Sequence, residues 1–366
     1  WDKLTADEKK LFIKQVEVFA AYAAYNDHEI GRVIQAVEDI GKFDDTLIIY
    51  INGDNGTSAE GGPLGTPNEV AFFNGINEMP AETQLKWYDV WGTEETYNHM
   101  SAAWSWAFDT PFDWFKQNAS RLGGINQNMV VSWPARIKDK GGLREQFMHV
   151  IDVVPTILEV AGIPAPESVD GIQQAPIEGT SFAYTFDAEN AEAPSRHTTQ
   201  YFEMFGNRAI YKDGWKAVTI HANRMPWNLN RTAPFENDVW ELYHIDEDFS
   251  ESVNVADEYP DKLEALKKRW EELAWENNVF PLYDNMIQRI AKQQGRLFGD
   301  RKEFVYYTPG ARRIAEKASA PVKGRSHEIE TTLNLTGNEE GVLLACGRFT
   351  GGYTLYIQNN QVHYDY

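Results

Sequence analysis

One stretch, Thr46-Leu-Ile-Ile-Tyr-Ile-Asn-Gly-Asp-Asn-Gly56, constrains this chain more than any other. Apolar residues, several of them β-branched, occupy both faces from Thr46 to Ile51, the pattern of a buried parallel strand. Its carboxyl end delivers Asp54 and Asn55 between two glycines. An Asx-rich turn without a ligand is the plain alternative for such a step, so the flanking sequence has to decide. Upstream, Thr5-Ala-Asp-Glu8 forms a capping box. Behind it Phe12, Val16, Phe19, Ala23, Ile30, Val33, Val37 and Ile40 recur at three- and four-residue steps. They predict one long helix with a buried stripe, ended near Gly41. A helix leading into a buried strand is half of a βαβ unit, and open α/β sheets place ligands beyond the carboxyl ends of their strands. Asp54 and Asn55 lie there, and their side-chain oxygens suit a hard divalent cation such as calcium.

Downstream, Met129 to Trp133 is the next strand candidate, and Asp152 to Gly162 has the pattern of a capped helix with a C-terminal glycine. Between the two strands runs a long aromatic excursion holding Trp87, Tyr88, Trp91, Tyr97, Trp104, Trp106 and Trp114. Long excursions in compact domains usually carry function. Past residue 200 the texture changes to short strands (Arg208–Tyr211, Lys216–Thr219, Trp240–Tyr243) and a helix from Pro260 with Leu263, Leu266, Trp270 and Leu273 as its stripe. From His327 the pattern is β, over Glu328–Leu335, Val342–Cys346, Thr354–Ile357 and Val362–Tyr366. The expected division is an α/β core over residues 1–200, a smaller α+β subdomain over 201–295 and a β-rich extension over 296–366.

A length of 366 residues and a net charge of −21 fit a multidomain globular chain. That charge speaks against a nucleic-acid partner, which needs clustered Lys and Arg, and no apolar run has the length of a transmembrane segment. An anionic substrate therefore needs local positive charge from a metal or a few placed bases. Cys346 is the only cysteine, so no disulfide forms within the chain.

The blocks VIQAVEDIGKFDDTLIIYINGDNG, NHMSAAWSWAFDTPFDWFKQNASRLGG, MVVSWPARIKD, HVIDVVPTILEVAGIPAPESVDG and WELYHIDEDFSESVNVADEYPDKL occur in this order. Together they resemble the type I sulfatases of the alkaline phosphatase superfamily, in particular its long arylsulfatase branch. The resemblance implies an alkaline-phosphatase-like mixed sheet flanked by helices, incomplete in this chain. It implies a small-molecule sulfate ester as substrate, Ca2+ held by Asp54 and Asn55, and Lys116 as the catalytic lysine that binds sulfate. It also implies export to the periplasm or the exterior. A lysine suits that role because a point charge stabilises negative charge on a departing oxygen. His99 and Trp104 are candidate pocket residues. Asn55 favours sulfate, since the phosphatase and phosphonate-hydrolase branches, the alternative of the same fold, place histidine there.

Some positions depart from the family pattern. Ser120-Arg121-Leu122-Gly123-Gly124 stands where Ser-His-Phe-Gly-Gly is usual, and Asn126 stands at an arginine position. The family's formylglycine nucleophile arises from a C/S-x-P-S/A-R motif, and no such motif occurs. Glu192-Ala-Pro-Ser-Arg196 imitates it with Glu at the reactive position. The expectation is a chain that carries part of the metal and sulfate site without the nucleophile, inactive alone. A catalytically dead binding chain is the remaining alternative. His149 is expected to be structural, and His221 and His244 carry no motif.

Overall fold

A computed structural model describes residues 1–53, 55–73, 78–169, 171–227, 232–285, 301–306, 311, 314, 319–322, 325–348 and 351–366. The chain divides into two compact units, Trp1–Met286 and Ile287–Tyr366. Both mix helices with sheets or consist of sheet, and the molecule is α/β in class.

Helix α1 spans Ala6–Asp39 and opens on the expected capping box, the Thr5 hydroxyl accepting from the Glu8 N–H while the Glu8 carboxylate accepts from the Thr5 N–H. It ends at Ile40, and Gly41 follows with φ of +67°. The predicted buried stripe is only partly realised. Leu11, Phe12 and Gln15 are buried, but Val33 is 68% and Ile40 71% exposed. Among the described residues, the N-terminal half packs on the aromatic excursion, Leu11 and Phe12 with Ala81 and Trp91.

Strand β1 (Ile48–Asn52) pairs antiparallel with β2 (Asn128–Ser132), Ile48 facing Ser132 and Asn52 facing Asn128. This corrects the parallel reading. The intervening excursion, which contains helix α2 (Ala102–Phe108), returns the chain beside β1 in the opposite direction. β1 is half-buried. Leu47, Ile49, Met129 and Val131 pack against Phe182, Ala183 and Phe186, while Ile49, Ile51, Val153 and Ile157 line an apolar groove of about 550 Å³.

Helix α3 (Val153–Ala161) ends at Gly162 with φ of +66°. Asp152 precedes it but does not cap it with its side chain. Its carboxylate is turned back instead, accepting from the His149 N–H at 2.8 Å, the Thr180 N–H at 2.7 Å and His197 Nδ1 at 2.8 Å. His149 thus serves a turn, as expected.

The second half of this unit is a four-stranded antiparallel sheet in sequential order: β3 (Thr199–Met204), β4 (Asn207–Lys212), β5 (Trp215–Thr219) and β6 (Glu241–His244). Side chains alternate between its faces. Ile210, Ala217 and Leu242 face helix α4 (Pro260–Glu276) and pack on Leu266, Trp270 and Ala274. Ala209, Val218 and Tyr243 form the core of the opposite face. The second unit holds β7 (Gly341–Arg348), β8 (Gly351–Gln358) and β9 (Gln361–Asp365) in an antiparallel sheet. Glu328–Leu335, read as a strand, is not one. Nearly every residue in it is exposed and it pairs with no strand among the described residues.

Two expectations follow. Trp270 is 3% exposed and its indole donates to the Phe202 carbonyl at 3.1 Å, so Trp270→Ala should cost about 3–5 kcal/mol in urea unfolding. The Asp152–His197 pair should show in a stability–pH profile. The hydrogen bond to Asp152 raises the His197 ring above its ordinary 6.5 against the effect of burial. Burial pushes Asp152 up, but the bonds from His197, Thr180 and His149 outweigh it and leave it below 3.8. The His197 share of stability is full below pH 6.5 and is lost as pH rises through the raised value. The Asp152 share is full above pH 3.8 and is lost as pH falls. Asp152→Asn should therefore lower Tm most between about pH 4 and 6.5; an equal loss at every pH would contradict the assignment.

Candidate active site

Just past β1 the chain enters a loop whose two glycines do different things. Gly53 has φ of +97°, a conformation an L side chain adopts only under strain. Gly56 has no room for a Cβ, which would lie 1.7 Å from the Gly123 carbonyl oxygen. The Gly56 N–H donates to the Gly124 carbonyl at 3.1 Å, and the Lys116 N–H donates to the Thr57 carbonyl at 3.2 Å. The Asn55 loop and the Lys116 loop are thereby laced together, backbone to backbone. Asp109 adds a third tie, accepting from the Thr57 N–H at 3.2 Å and its hydroxyl at 2.6 Å. Burial pushes this carboxyl up, opposed by the two Thr57 bonds.

Asp54 lies outside the described residues. Asn55, half-buried, sits at the near end of the loop. Lys116 Nζ contacts Glu60 Oε2 at 2.9 Å, and Gln117 Nε2 donates to Glu60 Oε1 at 2.8 Å. The Ser58 hydroxyl bonds the same Glu60 carboxylate. His99 joins through Nε2, 2.7 Å from the Ser58 hydroxyl, while its Nδ1 lies 2.9 Å from the Met100 carbonyl. Of the candidate residues, Lys116 and His99 therefore belong to one network beside the Asn55 loop. Trp104 does not join it. Its indole donates to the Phe12 carbonyl at 2.9 Å, and its ring packs in the α1 cluster.

Glu60, Ser58 and Gln117 were not legible as site residues. The only signal was their position, Ser-Ala-Glu directly after the Asp-Asn loop and Gln directly after the lysine. Glu60, Glu69 and His99 present ligand atoms within 4.8 Å of one another, a set that could hold a metal ion. Glu60 is already taken by Lys116 and Gln117, and His99 by Ser58, so a cation there would have to break several bonds.

What holds the Lys116 loop is a buried charge cluster. Arg121 pairs with Asp113 through Nε at 2.8 Å, with Glu241 at 3.0 Å and with the Tyr243 hydroxyl at 2.7 Å. Glu251 accepts from the Leu122 N–H at 2.7 Å and from Lys216 Nζ at 2.7 Å. Lys216 is fully buried, and desolvation pulls its ammonium below the ordinary lysine value against the pull of Glu251. Arg121, the departure from the family's histidine, is thus the clamp between this loop and the face of the sheet opposite α4. Elsewhere, Ser195 of the Glu192–Arg196 imitation accepts from the Phe147 N–H at 2.9 Å. His221 is buried between Asp238 at 2.9 Å and Asp284 at 3.1 Å.

Residues 2–163 match the model of the family described as Sulfatase, and residues 111–276 that described as N-sulphoglucosamine sulphohydrolase, C-terminal. The chain belongs to the sulfatase family. Among sulfatases, it is 29% identical over 294 residues to the uncharacterized sulfatase PB10D8.02c of Schizosaccharomyces pombe, covering 78% of this chain and 48% of that protein. It is 25% identical over 206 residues to the arylsulfatase of Klebsiella aerogenes, covering 56% and 40%. The chain spans about half the length of the curated relatives it matches. Among solved structures, Ps i-CgsB aligns with a TM-score of 0.44 at 17% identity over 72% of this chain and 44% of that one. BT4656, in complex with D-glucosamine-2-N,6-O-disulfate, aligns with a TM-score of 0.41 at 18% identity over 70% and 39%. The phosphatase alternative finds no support in these matches. No helix among the described residues of this sulfatase chain is long and apolar enough to cross a membrane.

The clamp generates a prediction. Glu251→Gln leaves the Lys216 ammonium buried without its counter-charge and should cost about 3–5 kcal/mol. Urea unfolding checks it, and a loss below 1 kcal/mol would show that the cluster is not sealed from water.

Proposed function

We propose that this chain contributes the cation- and sulfate-binding part of a site that hydrolyses a small-molecule sulfate ester. The observation that carries the reading is the lacing of the Asn55 loop to the Lys116 loop, Lys116 N–H to Thr57 carbonyl at 3.2 Å. It ties the backbone of the lysine loop to the loop that follows Asn55, and the sulfatase resemblance assigns the residues of these two loops to one reaction. Asp54 and Asn55 would hold calcium, whose chemistry when bound is Lewis-acid polarisation of a sulfate oxygen. Lys116 would bind the sulfate as a point charge and stabilise negative charge as the ester bond breaks. Asp109 and the Gly56–Gly124 bond fix the two loops before substrate arrives, so little reorganisation is needed on binding. The reading assigns the nucleophile to none of these 366 residues. Cys346 lies in β7, in the other unit, and Glu192–Arg196 has a carboxylate at the reactive position and a structurally engaged serine. The chain by itself should therefore leave an aryl sulfate uncleaved.

Calorimetric titration of sodium sulfate into the calcium-loaded chain tests the binding half. Lys116→Ala should weaken sulfate binding about tenfold or more, the worth of one charge-assisted hydrogen bond. Equal affinity in the variant and the wild type would sink the assignment of Lys116.

A further inference from the structure

Directly after β5 the chain makes a strained turn. The Arg224 N–H donates to the His221 carbonyl at 3.2 Å, and Ala222 and Asn223 between them have φ of +54° and +47°. Asparagine tolerates the left-handed region, but alanine is held there at a cost. The turn delivers Arg224 into the interior, where it is 2% exposed. Its guanidinium carbon lies 4.2 Å from the ring centroid of Phe205, in the turn between β3 and β4. Nε and Nη2 are both buried, and neither donates a hydrogen bond among the described residues. Asp284 is near enough for its charge to act on the guanidinium. Its carboxylate, however, is bonded to His221 Nε2 at 3.1 Å and to the Ala233 N–H at 3.2 Å.

Nε–H and one N–H of Nη2 point the same way along one edge of a guanidinium, spaced to meet two oxygens of a single anion. The chain uses that edge at Arg121, whose Nε donates to Asp113 Oδ1 at 2.8 Å while Nη2 donates to Asp113 Oδ2. Arg224 turns the same edge to no carboxylate among the described residues. A buried guanidinium without a bonded anion weighs on the fold, and an anion from outside the chain would relieve it. The turn is also tied to the Lys116 loop on both sides of Arg224. Before it, Asn207 bridges the two, Oδ1 accepting from the His221 N–H at 2.9 Å and Nδ2 donating to the Gln117 carbonyl at 3.0 Å. After it, Met225 and Trp227 pack on the cluster of Ala59, Ala102 and Phe115, with the Trp227 and Phe115 rings 6.2 Å apart.

We propose that the Nε–Nη2 edge of Arg224 is an oxyanion site beside the Lys116 loop, binding a carboxylate or a sulfate through two of its oxygens. Both nitrogens are covered, so the anion displaces what covers them and meets the guanidinium out of water, where a charge-assisted pair is strongest. The Phe205 ring holds the guanidinium plane from one face and leaves the edge to the anion. The anion has two sources, a free inorganic or organic acid or a second acidic group on the sulfate ester. The second source rests on Lys116 being the sulfate-binding residue and makes the substrate a dianion. Without an anion the chain bears an unpaired buried charge, so binding stabilises the fold by linkage.

Thermal unfolding of the full chain in sodium sulfate and in sodium acetate, at ionic strength held constant with sodium chloride, reads the site. Wild-type Tm should rise to saturation with either anion. Arg224→Met should weaken the apparent affinity about tenfold or more, and Arg224→Lys, which keeps the charge without the two-donor edge, should do the same. In anion-free buffer Arg224→Met should unfold no lower than wild type, because an apolar chain replaces an unpaired charge. Unfolding well below wild type there overturns the proposal, as does a wild-type Tm that neither anion raises. Lys116→Ala separates this site from the lysine. A rise with sulfate that survives Lys116→Ala and is lost in Arg224→Met supports the Arg224 site and sinks the Lys116 assignment. A rise lost in Lys116→Ala and unchanged in Arg224→Met overturns the Arg224 site and leaves Lys116 standing. A rise lost in either variant puts both cations on one anion and keeps Arg224 in the site. Calorimetric titration then names the source. If 4-carboxyphenyl sulfate binds about tenfold more tightly than phenyl sulfate and Arg224→Met removes the gain, the anion is the second acidic group of the ester; equal affinities assign the edge to the free anion.

Discussion

The ammonium of Lys216, sealed from water in the sheet, sets the terms for everything around the candidate site. A buried charge is tolerable only with a partner and with every remaining bond satisfied. Glu251 is that partner, and its second oxygen takes the Leu122 N–H. Arg121, one residue earlier, completes the arrangement with Asp113, Glu241 and Tyr243. The loop that carries Lys116 is therefore bracketed at Asp113 and at Arg121–Leu122 by a charge cluster whose centre, Arg121, Lys216 and Glu251, is buried. Mobile groups on a surface loop would bind an anion poorly, because ordering them costs free energy at the moment of binding.

The sheet can offer this face because its other face is spent on α4. Ile210, Ala217 and Leu242 turn toward Leu266 and Trp270, and the period of two sends Ala209, Lys216 and Tyr243 the opposite way. A hydrophobic core on one side and a polar clamp on the other thus come from the same three strands. The site loops inherit their rigidity from that division. On their far side the Asn55 loop is held by glycines that admit another backbone at a distance no side chain would allow.

Much of the local structure was legible in the sequence. The Thr5–Glu8 capping box, the α1 span, the strands around Ile210, Val218 and Leu242, and the α4 stripe follow from short-range patterns, and such patterns report what a segment can do by itself. The misreadings share a cause. An apolar run such as Leu47–Ile51 shows that a strand wants burial but not the direction of its partner, so the antiparallel β1–β2 pair could not be foreseen. The α1 stripe shows a face suited to packing, yet burial depends on what reaches it. Asp152 looked like a helix cap, but His197 and Thr180, far along the chain, offer its carboxylate better partners.

The sequence by itself determined the family, the Asp54–Asn55 step, Lys116 as the candidate sulfate ligand, and the lack of a nucleophile motif within these residues, because each is written in contiguous motifs. Only the tertiary structure decided that Glu60 sits on Lys116, that His99 is linked to it through Ser58, that Trp104 is engaged with α1, and that Arg121 is a clamp. Those relations join residues up to about 130 positions apart. They depend on the close approach of Gly56 to Gly123 and on a charge cluster that forms only when the loop and the sheet bury it together.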